Sequence, residues 1–320
     1  LGNNACMSSS EGDAMCYSAQ IEQSYKDYVR KFGADISIDE FAKVFWSDRS
    51  AKTPKAMRQA FLNSSEPWAN EIIQGIEALN KEQSAKFEQE LFAQKTRLNK
   101  AVVSLKTKET KKALEDKRIA SNKIKAAESR LKDLKRSKLE PKDSRVFPGI
   151  FSTVVAAENG KRFVAPMRYG CRLAGKPASY DQRYPGTYNA RRDSLEGFWR
   201  QQFGYTHALI IADKFYENVE IDCKNVVLEF EPRDGEPMLI ACLWSRWTDP
   251  KGIEPDLLSF AAITDEPEPE VAAAGHDRTI INIKPEHVDA WLNPDPANLE
   301  ALYAIFDDKR HPYYEHRIAA

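Results

Sequence analysis

Residues 68–139 hold a single glycine, Gly75, and the next proline after them is Pro141. A stretch without the two residues that end helices stays helical as long as its apolar positions find a partner. Those positions recur at heptad-like spacing: Phe87, Leu91, Leu98, Val102 and Leu105, then Ala113, Ala120, Ile124, Ala127, Leu131 and Leu134. One unbroken helix here would reach roughly 100 Å at 1.5 Å per residue. Polar motifs on both sides of it have to meet in one place, so the chain must return. The polar run 106–112 separates the two tracts, and the pattern predicts an antiparallel helical hairpin turning near residues 107–110.

The hairpin also hides a charge asymmetry. The net charge of the 320 residues is -1, yet residues 81–140 carry 18 Lys and Arg against 9 Asp and Glu. The remainder therefore carries -10, and the near-neutral sum does not argue against a nucleic-acid partner, because local fields act on a ligand. With 42% hydrophobic residues the chain can bury one large core or two ordinary ones. No run of about 18 apolar residues occurs, which excludes a membrane-spanning helix, and no membrane partner is expected. The first residues lack the order of a secretory signal. The five cysteines, Cys6, Cys16, Cys171, Cys223 and Cys242, form no CxxC pair. Neither a zinc site nor a disulfide framework is indicated, no metal or cofactor is expected, and a reducing cytoplasm fits best.

Residues 1–14 read as a non-native or processed extension, with Met15 as the expected start. Residues 15–50 and 141–320 read as two parts of one core, interrupted by an inserted helical hairpin over 51–140. In the first part the apolar spacing predicts helices over 20–32, stopped by Gly33, and 38–46, with a third opening at Thr53-Pro54. After Pro141, strands are predicted over 151–157, 162–167, 207–213, 225–230, 238–244, 257–263 and 279–283, with helices over 285–292 and 298–306. The fold class expected is α+β: a curved, mainly antiparallel barrel-like sheet with peripheral helices.

Four polar motifs stand out. Met15-Cys16 would leave a cysteine as residue one once everything before it is removed. Such a residue carries an amine and a thiol on adjacent carbons, with ordinary pKa values of about 8 and about 8.5. With an aldehyde the amine forms an imine, and the thiol closes a five-membered thiazolidine intramolecularly. Tyr188-Asn189-Ala190-Arg191-Arg192 offers an amide for orienting a nucleophile and two guanidinium groups for phosphate. Phe215-Tyr216-Glu217 ends an apolar strand, where a carboxylate should titrate high enough for proton transfer near neutrality. Gly275-His276-Asp277-Arg278 supplies an imidazole and a further arginine. Each alone also reads as ordinary structure: a buried cysteine, a turn asparagine with solvated arginines, a strand-end glutamate, a turn histidine. His207, His287, His311 and His316 read as structural or surface residues.

Taken together, and in this order, the four motifs resemble the SOS-response-associated peptidase (SRAP) family. Phe147-Pro148-Gly149, Met167-Arg168-Tyr169-Gly170 and Cys242-Leu243-Trp244 with Arg246-Trp247 extend the likeness. It spans 15–23 and about 145–292. The resemblance implies an abasic-site sensor that binds single-stranded DNA and crosslinks itself to the ring-opened sugar aldehyde. Carried over, Cys16 is the nucleophile, Asn189 positions it, Glu217 shuttles protons and His276 assists ring opening and closing. Arg168, Arg191, Arg192 and Arg278 are the implied DNA contacts, with Tyr169 available for stacking on an unpaired base. A cytoplasmic monomer is expected, moving to the nucleoid when DNA is damaged. Three departures stand beside this. Ser18 occupies a position where the family commonly has arginine, Tyr169 stands for a tryptophan, and the hairpin is additional. Two other readings stay open: a cysteine-type autopeptidase using Cys16, His276 and Glu217, and a non-enzymatic interaction module acting through the hairpin.

Overall fold

The computed structural model describes residues 18–46, 51–221 and 223–319. In chain order the elements are β1 (Ser18–Ile21), α1 (Tyr25–Phe32), β2 (Asp35–Ile36), α2 (Ile38–Trp46), α3 (Lys55–Leu62), α4 (Asn70–Thr107) and α5 (Lys111–Lys135). There follow β3 (Arg145–Val146), β4 (Phe151–Glu158), β5 (Lys161–Tyr169), α6 (Tyr180–Arg183), β6 (Asn189–Arg191), β7 (His207–Ile221) and β8 (Lys224–Pro232). The last are β9 (Met238–Trp247), β10 (Leu257–Asp265), α7 (Pro269–Ala273), β11 (Thr279–Ile280), α8 (Val288–Leu292), α9 (Leu299–Asp307) and β12 (Tyr314–Ile318).

The strand pairings run in a ring: β4 with β5, β5 with β10, β10 with β9, β9 with β7, and β7 back to β4. All but the short β5–β10 contact are antiparallel, giving the curved, barrel-like α+β sheet that the strand pattern predicted. Side chains alternate strictly between its faces. Ala208, Ile210, Ile240, Cys242 and Trp244 join one buried cluster with Tyr169, Phe260 and Ala262. Their neighbours Leu209, Ile211, Leu239, Ala241 and Leu243 join another, in which helices α1, α2, α3, α8 and α9 cover the second face. Near-continuous apolar runs such as Ala208–Ala212 arise because both faces are buried.

Helices α4 and α5 form the hairpin, and the turn falls at residues 108–110 as expected. At 1.5 Å per residue α4 is about 57 Å long. Its first turns bury Ile72, Ile76 and Leu79 against Phe45, Met57 and Phe61 of the core. At Gly75 the backbone comes so close to α2 that an added Cβ would stand 2.9 Å from Trp46 Nε1 and 3.2 Å from Phe45 Cβ. That crossing is why the one glycine in the tract lies there. Further out the seam is built on Ala113, Ala120 and Ala127, seven residues apart and all buried. Small residues at that spacing let the two helices approach closely. Thr110 caps α5 by accepting from the Ala113 amide, and Arg97 pairs with Asp116 across the seam.

Three expectations need correction, and one strand was not foreseen. Residues 20–24 are not helical: β1 runs to Ile21 between β7 and β3, and α1 begins only at Tyr25. The amphipathic spacing of Ile21 with Tyr25 was shared by chance with a strand whose inward residue is Ile21. Glu217 also does not end its strand. β7 continues to Ile221 because its second half pairs with β1 and β8 after the first half has paired with β4 and β9. The strand predicted over 279–283 shortens to β11, and β12 follows where no strand was predicted.

Candidate active site

β1 lies antiparallel to the middle of β7, with Ser18 opposite Tyr216. The next residue, Glu217, shares its face with Phe215 and Val219 of the inner cluster and has no solvent exposure. Facing it is His276, whose Nε2 lies 3.1 Å from Glu217 Oε2. Gly275, at φ +93°, makes the left-handed step that turns the chain from α7 toward this contact. On the other side of the ring, Nδ1 lies 2.9 Å from the Arg278 carbonyl. Nδ1 faces both backbone groups of Arg278: it donates to the carbonyl when it carries the hydrogen and accepts from the amide N–H, 3.3 Å away, when it does not. Nε2 is the nitrogen facing the carboxyl group, and a proton carried by either partner can lie between Nε2 and Oε2. Burial holds the imidazole below the ordinary histidine value, with the Arg278 carbonyl opposing. The result is a buried carboxyl–imidazole pair poised to give up or take back a single proton.

Asn189 is brought to the same inner face by β6, where it pairs with Ala262 of β10. The Tyr169 hydroxyl donates to Asn189 Oδ1 at 3.3 Å. Tyr169 is buried, stacked on Phe260 at 5.1 Å and edge-on to Tyr188 at 5.6 Å. Its hydroxyl, rather than an open ring face, is what it presents to the site.

The arginines divide into two groups. Arg191 and Arg278 line one cleft of about 400 Å³ beside Thr264. β10 brings them there, since Thr264 pairs with Arg191 on one side and with Ile280 on the other. Two strand spacings separate β6 from β11, roughly 10 Å. Arg191 pairs with Asp193 in solvent; Arg278 is nearly buried, 3.5 Å from Asp277. Arg192 lines the same cleft, held there by Asp265 and Asp307 against the Tyr303 and Phe306 rings. Arg168 precedes Tyr169 in β5 and so points to the opposite face. There it pairs with Asp181, which also binds Arg172. The inner face thus holds Asn189, Tyr169, Glu217 and His276, the cleft beside Thr264 holds Arg191, Arg192 and Arg278, and Arg168 faces away in its ion pair with Asp181. Cys16 lies outside the described residues.

One site residue was missed in the sequence. Arg145 donates from Nε to Ser18 Oγ at 3.0 Å. Its guanidinium lies 3.6 Å from the Tyr216 ring centre and 4.9 Å from that of Phe147. A guanidinium therefore stands beside Ser18 although residue 18 is not arginine. The only sequence signal was its place directly before Val146-Phe147-Pro148-Gly149. The other histidines are structural: His207 donates to the Trp291 carbonyl and accepts from the Gly204 amide, and burial pushes it down to about 3.

Residues 67–317 match the family model described as SOS response associated peptidase (SRAP). The chain belongs to this family. The match takes in the hairpin as well as the sheet. Three solved structures are similar. A Bordetella bronchiseptica protein is 20% identical over 55% of this chain and 87% of its own, with a TM-score of 0.46. A Bacteroides thetaiotaomicron protein is 14% identical over 55% and 78%, at 0.45. A phage-related protein from Bordetella bronchiseptica is 17% identical over 58% and 85%, at 0.42. No curated protein matches the chain. SRAP membership associates the protein with the SOS response. No described helix is long and apolar enough to cross a membrane.

Proposed function

We propose that this SRAP protein senses abasic sites in single-stranded DNA and closes a thiazolidine on the ring-opened sugar, with Cys16 as nucleophile once the residues before it are removed. The observation that carries this reading is the buried Glu217–His276 pair, 3.1 Å apart. It belongs to the strand that runs beside Ser18, and Ser18 is two residues along the chain from Cys16.

The Cys16 amine adds to the aldehyde carbon and gives a carbinolamine. Its hydroxyl leaves as water with the proton that the pair supplies. The proton lost from nitrogen then restores the pair and leaves an imine. The thiol sulfur adds to the imine carbon, its proton passes to the nitrogen, and the ring is closed. One C–N and one C–S bond form for each water released. Asn189, oriented by Tyr169, holds the sugar hydroxyls; Arg191 and Arg278 take flanking phosphates, and Arg145 takes the place of the arginine missing at Ser18. Arg192 adds a third guanidinium to the cleft beside Thr264, and Arg168 braces Asp181 on the opposite face.

The autopeptidase reading would ask His276 to take the Cys16 proton directly. Both ring nitrogens are already engaged, one by a carbonyl and one by Glu217, which favours proton relay through the carboxyl group over a thiol–imidazole couple. The test is a denaturing gel of protein beginning at Cys16 with an abasic single-stranded oligonucleotide. A covalent species is expected, absent from Cys16→Ala and from protein that retains residues 1–15. An adduct that survives Cys16→Ala overturns the proposal.

A further inference from the structure

At the base of the hairpin, α3, α4 and α5 enclose a cleft of about 440 Å³ whose wall carries Lys55, Arg58, Arg130, Arg136 and Lys142 against a single carboxylate, Asp133. Two of the five cations are spoken for. Arg136 bridges Asp133 and Asp143 at 2.7 Å each, and Lys142 pairs with Glu140 at 2.8 Å and Asp133 at 3.4 Å. The other three have no carboxylate partner among the described residues. Lys55 is held by the Asp133 backbone carbonyl. Arg58 is aimed by two neutral amides, Asn80 Oδ1 at 3.1 Å and Gln83 Oε1 at 3.3 Å, and its buried Nε has no hydrogen-bond partner. Arg130 lies over the Phe87 ring, 5.7 Å from its centre.

Cations gathered with neutral partners are costly unless an anion completes them. Lys55 shows the strain electrostatically: burial, and then the charge of Arg136, hold its ammonium below the ordinary lysine value. Arg58 is likewise lowered by burial. Continuity supplies the rest. Lys142, on the rim, lies three residues before Arg145, at most about 11 Å along the chain. Arg145 is the guanidinium that touches Ser18 at the candidate active site. The rim of the cleft is thus joined to Arg145, beside Ser18, by a short stretch of chain.

We infer that this cleft is a second phosphate-binding site, which takes a backbone phosphate of the same single strand whose lesion lies at Glu217 and His276. The inference rests on the proposed function for its DNA and extends the contact surface onto the hairpin. Arg58 and Lys55 are the phosphate ligands, and Arg130 is the outer contact.

The experiment compares wild type, Lys55→Gln with Arg58→Gln, and the exposed single variant Arg130→Gln in binding single-stranded oligonucleotides of about 8 and about 25 nucleotides across a salt series. Every phosphate that a variant no longer neutralises lowers the slope of log K against log salt by about 0.7 for single strands. The double variant is expected to bind the long strand about tenfold more weakly with a slope lower by about 0.7 to 1.4, and the short strand unchanged. Arg130→Gln should weaken binding of the long strand about threefold, and it keeps the test alive if the double variant melts early. Equal slopes for all three proteins on the long strand would overturn the inference. So would inorganic phosphate raising the wild-type melting temperature, but not that of the variants, while DNA slopes stay equal; the cleft would then serve a small phosphate. Covalent adducts formed equally by wild type and variants, with equal slopes, would sink this site and leave the crosslinking intact. Slopes that fall in the variants while wild type forms no adduct would do the reverse.

Discussion

Glu217→Gln separates the chemistry of the buried pair from its contribution to stability. In the tautomer whose Nδ1 donates to the Arg278 carbonyl, the shorter of its two backbone contacts, Nε2 faces a donor at 3.1 Å when the pair is uncharged. The glutamine amide is nearly isosteric and offers an N–H where the carboxyl offered its O–H. Burial opposes charging His276, so the neutral form is the one glutamine reproduces. The expected loss of stability is then within about 1 kcal/mol, the scale of one hydrogen bond exchanged for another. For a chain of this size that is about 2 °C in melting temperature. Proton transfer, in contrast, is abolished, because an amide does not release that proton. The single-turnover rate of adduct formation should fall by about 10² to 10⁴. Melting by circular dichroism and a quenched time course on an abasic oligonucleotide measure the two effects on one preparation. A drop in melting temperature of about 6 °C or more would refute the reasoning. It would correspond to the roughly 3 to 5 kcal/mol of a broken buried ion pair, and would mean that the pair carries separated charges.

Three further outcomes follow from the same geometry. His207, neutral in the fold at a value of about 3 and near 6.5 unfolded, binds its proton only when the chain unfolds between those values. Acidification from pH 6.5 to 5 should therefore cost about 2 kcal/mol; no such slope in chemical denaturation, or one unchanged in His207→Asn, would contradict it. Gly75→Ala gains about 1 kcal/mol of helix propensity but drives a Cβ into Trp46 and Phe45, an overpacking cost of about 1 to 3 kcal/mol; the net change should lower the melting temperature, and a rise would show that α2 moves away freely. Ala120→Leu in the fully buried seam should splay the hairpin and raise hydrogen exchange in α4 and α5, leaving adduct formation by the core unchanged.

How much could be read from sequence differs from element to element. The two hairpin helices and their turn were legible because their information is local: a long tract almost free of breakers, an apolar period, and a polar interruption where the turn falls. Most core strands were legible because residues buried on both faces leave continuous apolar runs. β1 and the second half of β7 were not, because each is a strand only by virtue of the other, and neither carries a local signature that defeats helix or loop. Asn189, Glu217 and His276 were visible as residue types in recognisable motifs. That Glu217 and His276 lie in contact was not, since they stand 59 positions apart and only the return of the chain through α7 brings the ring to the carboxyl group.

The amino-acid order alone determined the helical arm, the apolar strands, the choice of chemistry-bearing side chains and the family. Tertiary structure alone decided which partner each arginine finds. Arg168 faces away because strand side chains alternate, Arg192 is captured by two carboxylates from distant elements, and Arg145 arrives beside Ser18 through β1–β3 pairing. Charge and type are properties of a residue; the partner that claims the charge is set by long-range packing, and no window of sequence contains it.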